Sequence, residues 1–497
     1  MHASPVGGFA AAMPVLFLAA AALGFTVTEA GLLPDRDLTL GWGLAIAGMA
    51  LWYTLTGDRP FDLFSPGTVI NLGFLVLYGV ALVTVTFEPS GPFTEQLHLH
   101  MPRYPTVGLI SFLGCLGFNL GYRLPDLLPG RRRHFALADF SGAQVFWLWL
   151  LMIVVGIMVI IASALSGIIY QTNMLLDSPL FRTVVGSLLP LLYIAVGIAL
   201  FQCLRQRGAD IIWLGLTVIS MLILLLYTLP SGSKLNWIVI FIIAAMAFNY
   251  CVRLFTRREA LLGVAGLLLI LSIIAPLNLH YRDQLLRNDA SGRAEFGQSF
   301  TLLADTFARA PVLSMLGGDG SLAGDLQQDY LRARLSAVGI VAALLQHQEG
   351  GGELRYGATY AYTLLAFIPR FLWLEKPEIN IGREISQVVL GAPEDDVTSV
   401  GVTLIGEVVY NFGPGFTFFV LAAIGAVMKL FYLFFRAVYR TAPLFAFCLQ
   451  FAFWYALYFG SLESNLASGL SGAVKFGGLL LLLHYLLAAR PRPVGAG

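Results

Sequence analysis

Stretches of about 20 predominantly apolar residues recur along this chain, each long enough at about 1.5 Å of rise per residue to cross a hydrocarbon core of roughly 30 Å. They fall near residues 8–30, 38–56, 67–87, 104–122, 143–169, 183–204, 211–229, 235–252, 260–278, 413–435, 442–460 and 474–489. Backbone polar groups in lipid must be satisfied within the segment, and runs this long without alternation satisfy them as helices. The expected fold is therefore all-α: a polytopic membrane protein with about twelve transmembrane helices. Composition agrees, since 12% of residues are charged where a soluble domain carries about 25%.

Basic residues mark alternate short loops: Arg131, Arg132 and Arg133, then Arg205 and Arg207, then Arg253, Arg257 and Arg258, then Arg436 and Arg440, then Arg490 and Arg492. By the positive-inside rule these loops and both termini face the cytoplasm. The first run begins without a basic n-region and is long enough to span, so it reads as a retained helix and not a cleaved signal. A net charge of +1 argues against a nucleic-acid partner. The four cysteines lie within or at the ends of apolar runs without paired spacing, so neither a disulfide framework nor a zinc site is expected.

The same parity divides the chain into a membrane domain over 1–278 with about nine helices, a long outer-face segment over 279–412, and a second membrane domain over 413–497 with about three helices. The long segment holds most of the acidic residues and nine arginines. Two stretches in it, Leu326 to Gln346 and Tyr356 to Leu374, are too apolar for free solvation; the first is amphipathic and Pro369 and Arg370 interrupt the second. They are expected as interfacial or re-entrant helices, although a second pair of crossings would preserve the same parity. The segment has no GxSxG, HExxH, P-loop or convincing paired-carboxylate metal motif. His98 and His100 are explained equally well as a solvated loop pair, and no metal or cofactor is expected.

Arginine forks match phosphate oxygens and act most strongly where water is partly excluded, so arginines, a carboxylate and aromatics at an outer lipid interface suit a lipid-linked phosphosugar. Arg370 follows Pro369, with Pro377 and Trp373 close by in IPRFLWLEKPEIN; it reads as a preorganised phosphate clamp or as a snorkelling interfacial arginine. Lys376 and Trp373 are expected beside it. Glu407 is a carboxylate in an otherwise apolar run, which points either to function or to a helix first turn favoured by the dipole, and Asn411 shares its helix face. Arg334 is preferred over Arg332 for function because the two cannot share a regular helix face. Arg282, where the chain leaves the membrane, and Glu463, in the last outer loop, complete the expected site.

The run from Arg332 through Gly415 resembles the oligosaccharide repeat-unit polymerases, the Wzy-class O-antigen and exopolysaccharide polymerases. The resemblance rests on Tyr356-Gly357, on IPRFLW and EKP, and on TSVGVTLIGEVVYNFGPG (Thr398 to Gly415). PSGSK, ending at Lys234, is similar to a turn that such proteins carry at a helix end. The resemblance implies a metal-independent glycosyltransferase acting on undecaprenyl-diphosphate-linked oligosaccharide in the lipid bilayer, with Arg370 and Glu407 as catalytic groups and a flippase and a chain-length regulator as companions. A ligase transferring the glycan to another acceptor, and a flippase or transporter for lipid-linked sugars, stay open; helices nearly free of charge favour the interfacial enzyme over a conduit.

Overall fold

The computed structural model describes residues 5–30, 32–58, 60–87, 95, 100–127, 137, 139–165, 179–206, 210–228, 234–266, 281, 301–305, 337–366, 373, 381–391, 400–463 and 466–487. Every regular element among them is helical: α1 (Pro5–Glu29), α2 (Asp35–Thr56), α3 (Pro66–Val85), α4 (Tyr104–Leu127), α5 (Gly142–Leu165), α6 (Pro179–Arg205), α7 (Ile211–Thr228), α8 (Lys234–Cys251), α9 (Val338–Glu349), α10 (Ala358–Ala366), α11 (Ile381–Val388), α12 (Leu404–Phe412), α13 (Thr417–Tyr439), α14 (Pro443–Phe453, running on to Glu463) and α15 (Leu466–Leu487). Seven helices among the described residues are long and apolar enough to cross a membrane, namely α2, α3, α4, α5, α7, α13 and α15. Shorter apolar helices lie at Met13–Thr28, Pro190–Arg205, Ile238–Cys251 and Pro443–Leu457. The outward faces are as apolar as the interior: α7 exposes Ile211, Leu214, Val218 and Leu222, a distribution that suits hydrocarbon and not water.

The bundle is organised on the pair α4 and α13. Glycines at 114, 117 and 121 recur along one face of α4, and there the two backbones meet directly. A methyl group added at Gly121 would lie 1.8 Å from the carbonyl oxygen of Ala422, and one at Gly117 would lie 2.2 Å from that of Phe418. From the other side, Gly425 faces the Phe118 carbonyl at 2.2 Å. In lipid, where burial of apolar area gives helices little reason to associate, such small-residue contacts supply the dispersion and close approach that hold a pair together.

This pairing sets two poles. At one, α13 begins, α4 begins and α3 ends; at the other, α13 and α4 end and the turn between α2 and α3 sits over them. The length of α13, 23 residues, separates the poles by roughly 34 Å. Two π-helical turns, Leu75–Val80 in α3 and Trp454–Phe459 after α14, interrupt otherwise regular helices. In α3 the π-turn aims the Tyr78 hydroxyl at Thr403, 2.7 Å away, and its Leu77 carbonyl accepts from the Ala337 amide. The membrane helix thereby anchors both the start of α9 and the start of α12.

Candidate functional site

The first pole is built from the long segment between α8 and α13. Helix α12 starts at Thr403, whose side chain caps the Gly406 amide, and ends at Gly413, where a φ of 80° turns the chain into α13. Thr403 itself has a φ of 63° and a ψ of 167°, a region that a β-branched residue enters at a cost of about 1–3 kcal/mol. The Tyr78 hydroxyl and the Gly406 cap hold it there.

Asn411 and Glu407 lie on one face of α12, as their spacing requires, and both are fully buried. The Asn411 amide donates to Thr359 Oγ1 at 2.7 Å, and that hydroxyl donates to Glu407 Oε1 at 2.8 Å. The other Glu407 oxygen accepts from the Leu466 amide at 2.5 Å. Leu466 is the first residue of α15, so its N–H has no partner within its own helix. Glu407 thus joins three elements, α10, α12 and α15, and its negative charge faces a helix N-terminus, where the dipole favours it. In this geometry the carboxylate is enclosed and acts as a brace, and it sits in the first turn of α12, as the dipole alternative in the sequence reading places it.

The groups that do reach solvent stand beside this knot. The backbone of Arg355 and Tyr356 pairs with the end of α12 through Arg355 N to Tyr410 O (3.2 Å) and Tyr356 N to Asn411 O (2.8 Å). Positive φ at Tyr356 (49°) and Gly357 (85°) makes the turn that brings this pairing about. The Arg355 guanidinium donates to the Tyr410 hydroxyl at 3.1 Å and pairs with Glu384 of α11, to which Tyr410 also donates at 2.9 Å. The side chains of Arg355 and Glu384 are 41% and 27% exposed, and the Tyr356 ring is 81% exposed. Burial pushes the Tyr410 phenol up to about 12, so it stays protonated and able to donate. A cation, a carboxylate, a phenol and an open aromatic face therefore converge at one end of the bundle.

The remaining expected residues divide by position. Arg370, Lys376, Arg282 and Arg334 lie outside the described residues; Trp373 is described and half-buried. Lys234 opens α8, and Glu463 closes the short helical stretch that follows α14. Arg355 was one of nine arginines without a distinguishing pattern; its adjacency to Tyr356-Gly357 was the available signal, and Glu384 had none.

The second pole holds charge that the apolar pattern concealed. Lys429, within α13, is buried and lies 2.8 Å from Asp58 Oδ1 and 3.1 Å from Asp126 Oδ2. The Tyr122 hydroxyl donates to Asp58 at 3.2 Å, and the Tyr122 ring faces the Lys429 ammonium at 4.6 Å. Next to this pair, Asp62 accepts from the Phe64 and Asn249 nitrogens on one oxygen and from the Tyr250 and Tyr432 hydroxyls on the other. The expectation of helices nearly free of charge is corrected here: a span carries a lysine because two carboxylates from other elements meet it. A lysine among only four in the chain, within the 413–435 run, was the readable signal.

Among the described residues no group of His, Cys, Asp and Glu is arranged to hold a metal ion. No protein-family model, no curated protein and no solved structure matches the chain.

Proposed function

We propose that this chain is a membrane glycosyltransferase that polymerises undecaprenyl-diphosphate-linked oligosaccharide repeat units at the outer leaflet of a bacterial inner membrane, with about twelve crossings and both termini cytoplasmic. One observation carries the reading. Two of the pieces of sequence that resemble the repeat-unit polymerases, Tyr356-Gly357 and GEVVYNFGPG, are about 50 residues apart and pack into one knot, with Arg355, Glu384 and Tyr356 at its open edge and Tyr410 buried behind them.

The chemistry follows from those groups. A lipid diphosphate competes with Glu384 for the Arg355 guanidinium, and binding it releases the carboxylate. The acceptor hydroxyl then attacks the anomeric carbon of the growing glycan, its proton passes to Glu384, and the bond from that carbon to the diphosphate breaks with the electron pair leaving on phosphate. Tyr410 keeps Arg355 oriented, Tyr356 offers a face to a sugar ring, and Glu407 with Asn411 holds the turn beneath them. Arg370 and Lys376 follow α10 in sequence and are assigned to the same diphosphate.

Arg355→Ala and Glu384→Gln are expected to abolish long chains while single repeat units still reach their carrier, measured by gel separation of the glycans from cells carrying each variant. Removing a positioned electrostatic donor lowers turnover by roughly 10²- to 10³-fold. An unchanged chain-length distribution in both variants would overturn this assignment. A second reading, a transporter for lipid-linked sugars, draws on the buried Lys429–Asp58 pair. It predicts that Lys429→Met removes single-unit product together with long chains.

A further inference from the structure

A cavity of about 330 Å³ opens at the second pole, between the ends of α8 and α13 and the start of α14. Its size falls in the range of small-molecule and headgroup sites. Arg253, Arg436 and Arg440 line it. Arg253 already pairs with Glu259 at 2.5 Å. Arg436 and Arg440, one helical turn apart, have no carboxylate in ion-pair range among the described residues, and Arg436 rests against the Tyr432 ring.

Deeper in the cavity stands Gln450, 3% exposed. Its Nε2 donates to the Phe64 carbonyl at 3.1 Å, which fixes the amide, while its Oε1 is buried with no hydrogen-bond partner. A buried acceptor left unpaired costs about 1–3 kcal/mol, and Gln450 Oε1 has no protein donor. The one carboxylate in the wall, Asp62, is not a cation trap, because both its oxygens are already occupied by four donors from the protein. Phe435 and Phe447 supply an apolar flank. Two arginines without an ion-pair partner among the described residues and one acceptor without a protein donor therefore line one cavity, where a single molecule can engage all three.

We infer that this cavity binds a phosphoryl group that carries a hydroxyl donor next to it, as in a glycerophosphate-type headgroup, with Arg436 and Arg440 on the phosphate and Gln450 on the hydroxyl. The site is independent of the proposed polymerase chemistry, which lies at the opposite pole.

The full-length protein in neutral detergent, titrated with short-chain phosphatidylglycerol or phosphatidylmethanol and read by native mass spectrometry, tests it. The two lipids carry the same charge, and only the first has a headgroup hydroxyl. Phosphatidylglycerol is expected to bind about fivefold more tightly, the worth of one hydrogen bond to a buried acceptor. Gln450→Leu is expected to erase that preference while leaving phosphatidylmethanol binding unchanged, and Arg436→Gln/Arg440→Gln to weaken both lipids at least tenfold. Both arginines are partly or fully exposed, and retained elution as a single species reports that the variant is folded. Competition by soluble glycerol phosphate supports the site with a free phosphate ester as ligand, and its failure supports the site with a lipid ligand. Equal binding of the two lipids by the unmodified protein, or undiminished binding by the double variant, would overturn the inference.

Discussion

Replacing Glu407 by glutamine separates a brace from a base. The Leu466 amide opens α15 and has no intrahelical acceptor, so its protection from hydrogen exchange rests on Glu407 Oε2 at 2.5 Å. A hydrogen bond to a charged acceptor contributes about 1.5–3 kcal/mol and a neutral one about 0.5–1.5. Glu407→Gln keeps an oxygen for Leu466 but loses the charge, a difference of about 1–2 kcal/mol, and at about 1.4 kcal/mol per tenfold the amide should exchange roughly 5- to 30-fold faster. Glu407→Ala removes the acceptor altogether and should accelerate exchange roughly 10- to 150-fold. Hydrogen–deuterium exchange with mass spectrometry on the peptide containing Leu466 reads this directly, with mid-α15 peptides as the internal control. Unchanged protection at Leu466 in Glu407→Gln, together with complete loss of product, would show that the carboxylate works on substrate and would refute the bracing argument.

Lys429→Met alone leaves Asp58 and Asp126 without their cation, which should cost about 3–5 kcal/mol, while Lys429→Met/Asp58→Asn should recover most of it; a double-mutant cycle on unfolding free energies in detergent checks this. Gly121→Ala should prevent accumulation of folded protein on fluorescence-detected size exclusion, because its methyl meets backbone at 1.8 Å, whereas Gly114→Ala, which meets the end of the Leu421 side chain at 2.7 Å, should be tolerated with a lowered melting midpoint. Burial raises the pKa of the Asp62 carboxyl above its ordinary value despite four donors. A raised folded-state pKa means that Asp62 contributes full stability below the unfolded carboxylate range and loses it as pH rises through the folded value. Asp62→Asn should therefore flatten the decline in melting midpoint above that range, and an unchanged pH profile would count against the assignment.

What could be read from the sequence was what short-range periodicity encodes. The apolar runs announced helices because a span must close its own hydrogen bonds, and Glu407 with Asn411 announced a shared face because four residues is about one helical turn. The partners across the fold had no such signature. Leu466 lies 59 residues from Glu407 and Glu384 lies 29 from Arg355, and nothing local in either stretch says that they meet. The α4 glycines were visible as small residues at helical spacing, but their counterparts in α13 follow only from the packing. Lys429 was visible as an anomaly in a span, while its neutralisation by Asp58 depends on a turn 371 residues away.

The two poles bear on the choice between enzyme and conduit through the helix they share. A transporter that moved a lipid-linked sugar past Lys429 would need room at that depth, and the space enclosed by Lys429, Asp58, Asn71, Asn119 and Tyr122 is about 10 Å³, enough for about one water molecule. Opening it would separate a buried ion pair, leaving charges uncompensated in a low-dielectric interior. It would also slide α13 against α4, where Gly117, Gly121 and Gly425 place backbone on backbone with no side chain to yield. The same packing carries α12 on the end of α13 and keeps the Arg355 knot fixed relative to the membrane. Rigidity of this kind obstructs alternating access and suits the proposed site, which holds a diphosphate in one place while a hydroxyl approaches, so under that proposal the charge buried in the span is a structural tie.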